Sequence, residues 1–293
     1  MLTVTTVAAM QAEARRLRAS NRRLALVPTM GALHDGHLAL VAEARRHADH
    51  VTASVFVNPT QFGPTEDFAR YPRDADGDAA RLRDAGCDAL FLPSVDEMYP
   101  FGTGEAGQGA GVTVTVSGLD APLDGPHRPG HFAGVATVVA KLFHACQPDV
   151  AVFGQKDAQQ LALIRRMTRA LLFPIEIVGV PTVREADGLA MSSRNAYLSP
   201  DERAQAAVLH RALTGVRTAV EAGERRPDAL VEAARREIGA APLARVQYVE
   251  IVDAATLQPV SDPLAPGASV LVALAVYFGA TRLIDNVAFT VPA

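Results

Sequence analysis

Leu24-Ala25-Leu26-Val27-Pro28-Thr29-Met30-Gly31-Ala32-Leu33-His34-Asp35-Gly36-His37 joins an apolar run, a glycine-punctuated turn and the opening of an Ala-, Leu- and Glu-rich segment. The run Leu24 to Val27 is short, wholly apolar and stopped by Pro28, the pattern of a strand buried on both faces. His37 to Ala48 has the composition of a helix. Upstream, Val7, Met10, Ala14 and Leu17 recur at helical spacing. Helix, strand and helix in succession point to a parallel sheet.

The rhythm continues outward from there. Strands are expected at Val51 to Val57, Ala89 to Leu92, Val150 to Phe153 and Ile175 to Val180, and helices at Asp74 to Ala85, Phe132 to Ala145 and Ala158 to Leu171. The fold class is α/β, a parallel sheet with helices on both faces. The glycine-dense stretch Pro100 to Gly111 reads as a mobile loop, and the alternating run Val112 to Val116 after it as a further strand. After Pro181 the character changes. Helices at Pro200 to Ala222 and Asp228 to Ile238 precede β-rich runs at Val246 to Val252, Ser269 to Tyr277 and Arg282 to Phe289, which describes a smaller α+β domain. The expected domains are residues 1–182 and 183–293. No internal repeat is evident.

Composition narrows the function. A chain of 293 residues with 49% hydrophobic content buries a substantial core, and a net charge of −4 from interspersed charges gives no positive field to recruit nucleic acid. Cys87 and Cys146 belong to no C-x-x-C pair, so they read as buried thiols in a reducing compartment. No apolar stretch reaches the ~18 residues of a membrane span, and the N-terminus lacks the pattern of a secretory leader. The expectation is a soluble, cytoplasmic protein acting on small molecules.

Four stretches carry chemistry. Met30 to His37 follows the first core strand and opens a helix, where open α/β sheets bind ligands. There Gly31 and Gly36 permit close backbone approach, and the helix start offers N–H groups to phosphate oxygens. His34 and His37 lie on one side of that turn and suit a polyphosphate; a zinc site would need ligands that neither H-E-x-x-H nor a cysteine pair supplies. Gly154-Gln155-Lys156-Asp157 also stands between strand and helix, with Lys156 as a mobile charge for phosphate. Met191-Ser192-Ser193-Arg194-Asn195 gathers hydroxyls and a guanidinium in a loop just past the domain junction. Asn58 and Gln61, at the end of a strand and beside Phe56 and Phe62, offer neutral donors and acceptors for hydroxyls or a carboxylate. The literal G-x-G-x-x-G match at Gly102 to Gly107 leads into no helix and is read as loop, and no G-x-x-x-x-G-K-[ST] occurs.

Together these motifs resemble the pantothenate synthetase family, from Leu24 through Leu198 and more loosely to Ile284-Asp285-Asn286. Further matches are His131 to Val135 and Val180 to Asn195. The resemblance implies a Rossmann-like nucleotidylyltransferase fold whose C-terminal domain acts as a lid. It also implies ATP-dependent condensation of (R)-pantoate with β-alanine through a pantoyl adenylate. It brings ATP to Met30, Gly31, His34, His37, Gly154, Gln155, Lys156, Asp157, Val183, Met191, Ser192, Ser193 and Arg194, and pantoate to Gln61 and Gln160, with β-alanine entering near Gln61. His34, His37, Lys156, Ser192, Ser193 and Arg194 then stabilise the departing pyrophosphate. Mg²⁺ is implied through the ATP phosphates, with no metal ligands from protein side chains, and a homodimer through the first domain. Three residues depart from the family pattern: Thr60 where methionine is usual, Gln155 where glutamate is frequent, and Ala158 where an aromatic residue is general. The residues alone also admit an adenylyltransferase acting on a phosphate acceptor, or a nucleotide-binding regulator without turnover.

Overall fold

In the computed structural model, which describes every residue except 65 and 104–110, the quoted apolar run is the second strand of a parallel sheet. Elements up to Val180 are, in order, β1 (Leu2–Val4), α1 (Val7–Ala19), β2 (Leu24–Thr29), α2 (Asp35–His47), β3 (His50–Val55), α3 (Ala75–Asp84), β4 (Ala89–Phe91), α4 (Val95–Met98), α5 (His131–Cys146), β5 (Val150–Gly154), α6 (Ala158–Ala170) and β6 (Glu176–Val180). The six strands pair in parallel in the order β1-β4-β3-β2-β5-β6. From β2 the chain proceeds to β3 and β4 on one side, while β5 and β6 lie on the other. The strand order therefore reverses between β2 and β5, the point at which loops diverge and open a crevice above the strand ends.

Alternate residues of β2 face opposite ways, as strand geometry requires. Ala25 and Val27 pack with Leu40, Val41 and Ala44 of α2 and Leu82 of α3, whereas Leu24 packs with Ala14 and Leu17 of α1. Nearly every residue of α5 is buried, in keeping with its apolar sequence all round.

The chain divides into two compact units. The first comprises Met1–Asp120, Gly125–Gln155 and Leu163–Pro181; the second comprises Ala121–Asp124, Lys156–Ala162 and Thr182–Ala293. The second holds α7 (Pro200–Ala206), α8 (Val208–Glu221), α9 (Pro227–Gly239) and an antiparallel sheet of β7 (Ala244–Asp253), β8 (Ser269–Phe278) and β9 (Thr281–Thr290), with β8 central. Its core joins Leu209, Leu213, Val216 and Val220 of α8 and Leu230, Ala234 and Ile238 of α9 to Val270, Val272, Leu274, Val276 and Phe278 of β8.

Two expectations fail locally, and one strand was not foreseen. Val112 to Val116 forms no strand: the Val114 amide is spent on Thr137 Oγ1 of α5 (2.9 Å), and among the described residues no strand pairs with the run, without which alternation does not make one. The helix expected over Pro200 to Ala222 is two helices, because the Ala207 amide turns back to the Gln205 carbonyl. The three-residue β1 ahead of α1 is too short to leave a periodic signature. Residues 104–110, most of the glycine-dense loop and of the G-x-G-x-x-G match, lie outside the described residues.

Candidate active site

The turn after β2 is built around a carboxylate. Gly31 (φ +83°) and Ala32 (φ +51°) both take left-handed backbone conformations, which glycine adopts freely and alanine does not. Asp78 of α3, almost wholly buried, secures them: its Oδ2 accepts the Ala32 amide at 3.0 Å and its Oδ1 the Leu33 amide at 2.8 Å. A Cβ added to Gly31 would stand 2.7 Å from Asp78 Oδ2, so the glycine is required by close approach as well as by conformation. Burial pushes the Asp78 carboxyl pKa up, while the Leu33 and Ala32 amides pull against it. Sequence reading missed Asp78, because Asp74, Asp76 and Asp78 read as acidic residues favoured in a first helical turn.

His34 is the N-cap of α2. Its Nδ1 accepts the Gly36 amide at 3.2 Å, and His37 Nδ1 accepts the His34 amide at 3.3 Å, with the ring centroids 4.1 Å apart. A backbone amide can only donate, so Nδ1 of each ring is unprotonated and the neutral ring carries its hydrogen on Nε2. Each imidazole is thereby set as an Nε2–H donor.

Beyond β3 the turn Pro59–Gln61 begins at Asn58. Asn58 Oδ1 accepts the Tyr99 hydroxyl (2.7 Å), the Thr60 hydroxyl (3.0 Å) and the Thr60 amide (3.3 Å), while Nδ2 donates to Gln61 Oε1 (3.1 Å) and the Gly134 carbonyl (3.2 Å). Gln61 Nε2 approaches Met30 Sδ at 3.0 Å. Behind the turn, the Arg128 guanidinium grips Glu66 at 2.7 Å and meets His131 Nε2 at 2.9 Å; since guanidinium only donates, His131 holds its hydrogen on Nδ1 and gives it to the Gln61 carbonyl (2.8 Å). The first unit thus brings Met30, His34, His37, Asn58 and Gln61 to the carboxyl ends of β2 and β3. Gly154 closes β5, and the Gln155 side chain reaches the Gly179 carbonyl of β6 at 3.4 Å.

Lys156, Asp157 and Gln160 fall in the second unit, with Val183 and Met191 to Arg194. The Lys156 carbonyl accepts from Asn286 Nδ2 of β9 at 2.7 Å, and its ammonium stands 3.8 Å from Asp157. Ala158 begins α6, where Gln159 is buried and used structurally, bonding the Asp124 amide (3.0 Å) and the Pro122 carbonyl (2.7 Å), and Gln160 beside it is half-buried. Val183 and Met191 close a small hairpin (Met191 amide to Val183 carbonyl, 3.0 Å) that turns at Gly188 and presents Ser192, which caps the turn Ser193–Tyr197. Glu185 locks this loop, accepting from Asn195 (2.7 Å) and from Arg203 of α7, which also binds Asp187. Arg184 forms a bidentate pair with buried Asp285 at 2.7 and 2.9 Å. Arg203 lies outside every motif that sequence reading singled out. Among the described residues no three His, Cys, Asp or Glu side chains form a metal cage, and no helix is long and apolar enough to cross a membrane.

The profile of the Pantoate-beta-alanine ligase family matches residues 2–288. This chain belongs to that family. The pantothenate synthetase of Salinibacter ruber is 60% identical to it over 98% of this chain and 97% of the relative's length. Among solved structures, the pantothenate synthetase of Thermus thermophilus superposes with a TM-score of 0.89 at 50% identity, covering 100% of both chains. The pantoate-beta-alanine ligase of Francisella tularensis, complexed with a β,γ-ATP compound and β-alanine, gives 0.79 at 30% identity, covering 98% of this chain and 97% of its own. Membership in the pantoate-beta-alanine ligase family carries the activity: the enzyme condenses (R)-pantoate with β-alanine at the expense of ATP, through a pantoyl adenylate, to give pantothenate, AMP and pyrophosphate.

Proposed function

We propose that adenylation of pantoate is carried by His34, His37, Lys156, Ser192, Ser193 and Arg194 acting on the β- and γ-phosphates, with Met30, Gly31, Gly154, Gln155, Asp157, Val183 and Met191 completing the ATP site. A pantoate carboxylate oxygen attacks the α-phosphorus, the bond from that phosphorus to the bridging oxygen breaks, and its electron pair leaves on pyrophosphate. The work of the protein is positioning and neutralising the growing negative charge. The observation that carries this reading is the reciprocal capping of His34 and His37 directly after the central strand, which sets two Nε2–H donors at a helix start. Pyrophosphate is a weak base, so these hydrogens are donated to its oxygens and not transferred. ATP is taken as its Mg²⁺ complex, with the metal held by phosphate oxygens and sharing in charge neutralisation.

Gln61 and Gln160 bind pantoate, and β-alanine enters beside Gln61. Its neutral amine attacks the pantoyl carbonyl, a C–N bond forms, the C–O bond to AMP breaks, and the ammonium proton is released. Asn58 serves this pocket through Gln61, since its amide is already committed to protein partners. Residues 1–182 form the ATP- and pantoate-binding domain and residues 183–293 a lid that closes over the phosphates; the enzyme works as a cytoplasmic homodimer formed through its first domain. Exchange of labelled pyrophosphate into ATP tests the site: His37→Ala or Lys156→Ala is expected to slow it by about two to four orders of magnitude. Wild-type exchange in both variants would remove those residues from the mechanism. Light scattering tests the dimer, which requires the mass of two chains.

A further inference from the structure

Asn58 is 1% exposed and Tyr99 5%, yet together they decide what kind of atom Gln61 presents. The orientation of a carboxamide is ambiguous only while its neighbours could either donate or accept. Around Asn58 two backbone groups remove that ambiguity. The Gly134 carbonyl can only accept, so the Asn58 atom 3.2 Å from it is the nitrogen; the Thr60 amide can only donate, so the atom 3.3 Å from it is the oxygen. The nitrogen so fixed faces Gln61 at 3.1 Å, and the Gln61 atom there is therefore the oxygen. The Tyr99 hydroxyl, 2.7 Å from Asn58 Oδ1, is bound to donate, and burial of the phenol keeps it protonated. Thr60 Oγ1, 3.0 Å from the same oxygen and 3.1 Å from the Tyr99 hydroxyl, closes the group, and the Tyr99 ring is held from behind by the Lys141 ammonium 4.6 Å from its centroid.

We infer that Tyr99 and Asn58 are positioning residues that set the polarity of Gln61, turning its N–H groups toward the pocket so that it receives an acceptor oxygen of the acid substrate. This rests on Gln61 being the pantoate contact. Of the two Nε2–H donors, Met30 Sδ takes one among the described residues, and the other serves a carboxylate or hydroxyl oxygen. A substrate bearing only a donor at that position would face a donor and be refused. Thr60 matters for the same reason: its hydroxyl adds to the anchoring of Asn58.

The test compares three variants by steady-state kinetics, with thermal melts as the folding control. Gln61→Glu keeps the oxygen that Asn58 needs and replaces the N–H donor by a second oxygen, so KM for pantoate rises about a hundredfold or more while KM for ATP holds. Tyr99→Phe removes one hydroxyl and keeps the ring, and raises KM for pantoate about three- to tenfold with KM for ATP unchanged. Asn58→Asp sets an oxygen against Gln61 Oε1 and the Gly134 carbonyl, and has the larger effect of the two; if it does not fold, Tyr99→Phe carries the test. An unchanged pantoate KM in Gln61→Glu overturns the assignment of Gln61 itself. A strong effect in Gln61→Glu with unchanged, or equally raised, KM values for pantoate and ATP in Tyr99→Phe overturns the relay alone and leaves Gln61 in the site.

Discussion

In the proposed mechanism His37 has two tasks that use different ring atoms. Nδ1 accepts the His34 amide and closes the start of α2, and the Nε2–H is the donor proposed for phosphate. Nitrogen chemical shifts should therefore report both His34 and His37 as Nε2–H tautomers near neutral pH. Shifts of the Nδ1–H form would contradict the capping geometry. Asp78 is the residue-scale counterpart behind the turn. In Asp78→Asn one of the Ala32 and Leu33 amides faces an amino group in place of an oxygen, a loss expected to cost about 1–3 kcal/mol and to slow pyrophosphate exchange, measured by denaturant melts and exchange rates; unchanged values in both would deny it a part in holding the turn. The positions of the histidines and Lys156 at strand-to-helix junctions were legible in the sequence, where they stand out as residue types a core does not need. Asp78, Tyr99 and Arg203 were not, because each acts across the fold from an unremarkable position in its own element.

At the scale of elements, α5 approaches the Pro59–Gln61 turn closely enough that a side chain at Gly134 would meet the Thr60 carbonyl oxygen at 2.3 Å. Gly134→Ala must push that turn away. It is expected to lower stability by about 1–3 kcal/mol and to raise KM for pantoate more than KM for ATP; equal shifts in the two would show that the contact does not shape the pantoate pocket. The βα alternation, read from apolar runs and their prolines, gave β2 through β6 to within a few residues. What it could not supply was pairing. The alternating run Val112 to Val116 has the composition of a strand and, among the described residues, no strand paired with it, and the short β1 has a partner in β4 but no pattern of its own.

Over the whole molecule, stability should depend on pH through two imidazoles whose pKa values burial lowers. Burial lowers the pKa of His50, outweighing the nearby Asp88 and Glu13 carboxylates, and leaves its Nε2 without a hydrogen-bond partner; burial likewise lowers that of His210, helped by Arg184. Between the folded and unfolded pKa values the unfolded chain binds more protons, so stability is lost as pH falls from about 6.5. Denaturant melts from pH 7 to pH 5 should show the decline, and His50→Gln should flatten it; an identical slope in the variant would remove His50 from the effect. The change of pattern near Thr182 is a local signal, whereas Ala121–Asp124 and Lys156–Ala162 join the second unit through contacts that no local pattern encodes. The most direct test of the chemistry uses the whole enzyme and labelled pyrophosphate. Exchange into ATP should require pantoate, proceed without β-alanine, and fall by about two to four orders of magnitude in His37→Ala and Lys156→Ala, whereas exchange that is independent of pantoate, or untouched in both variants, would contradict adenylation at this site.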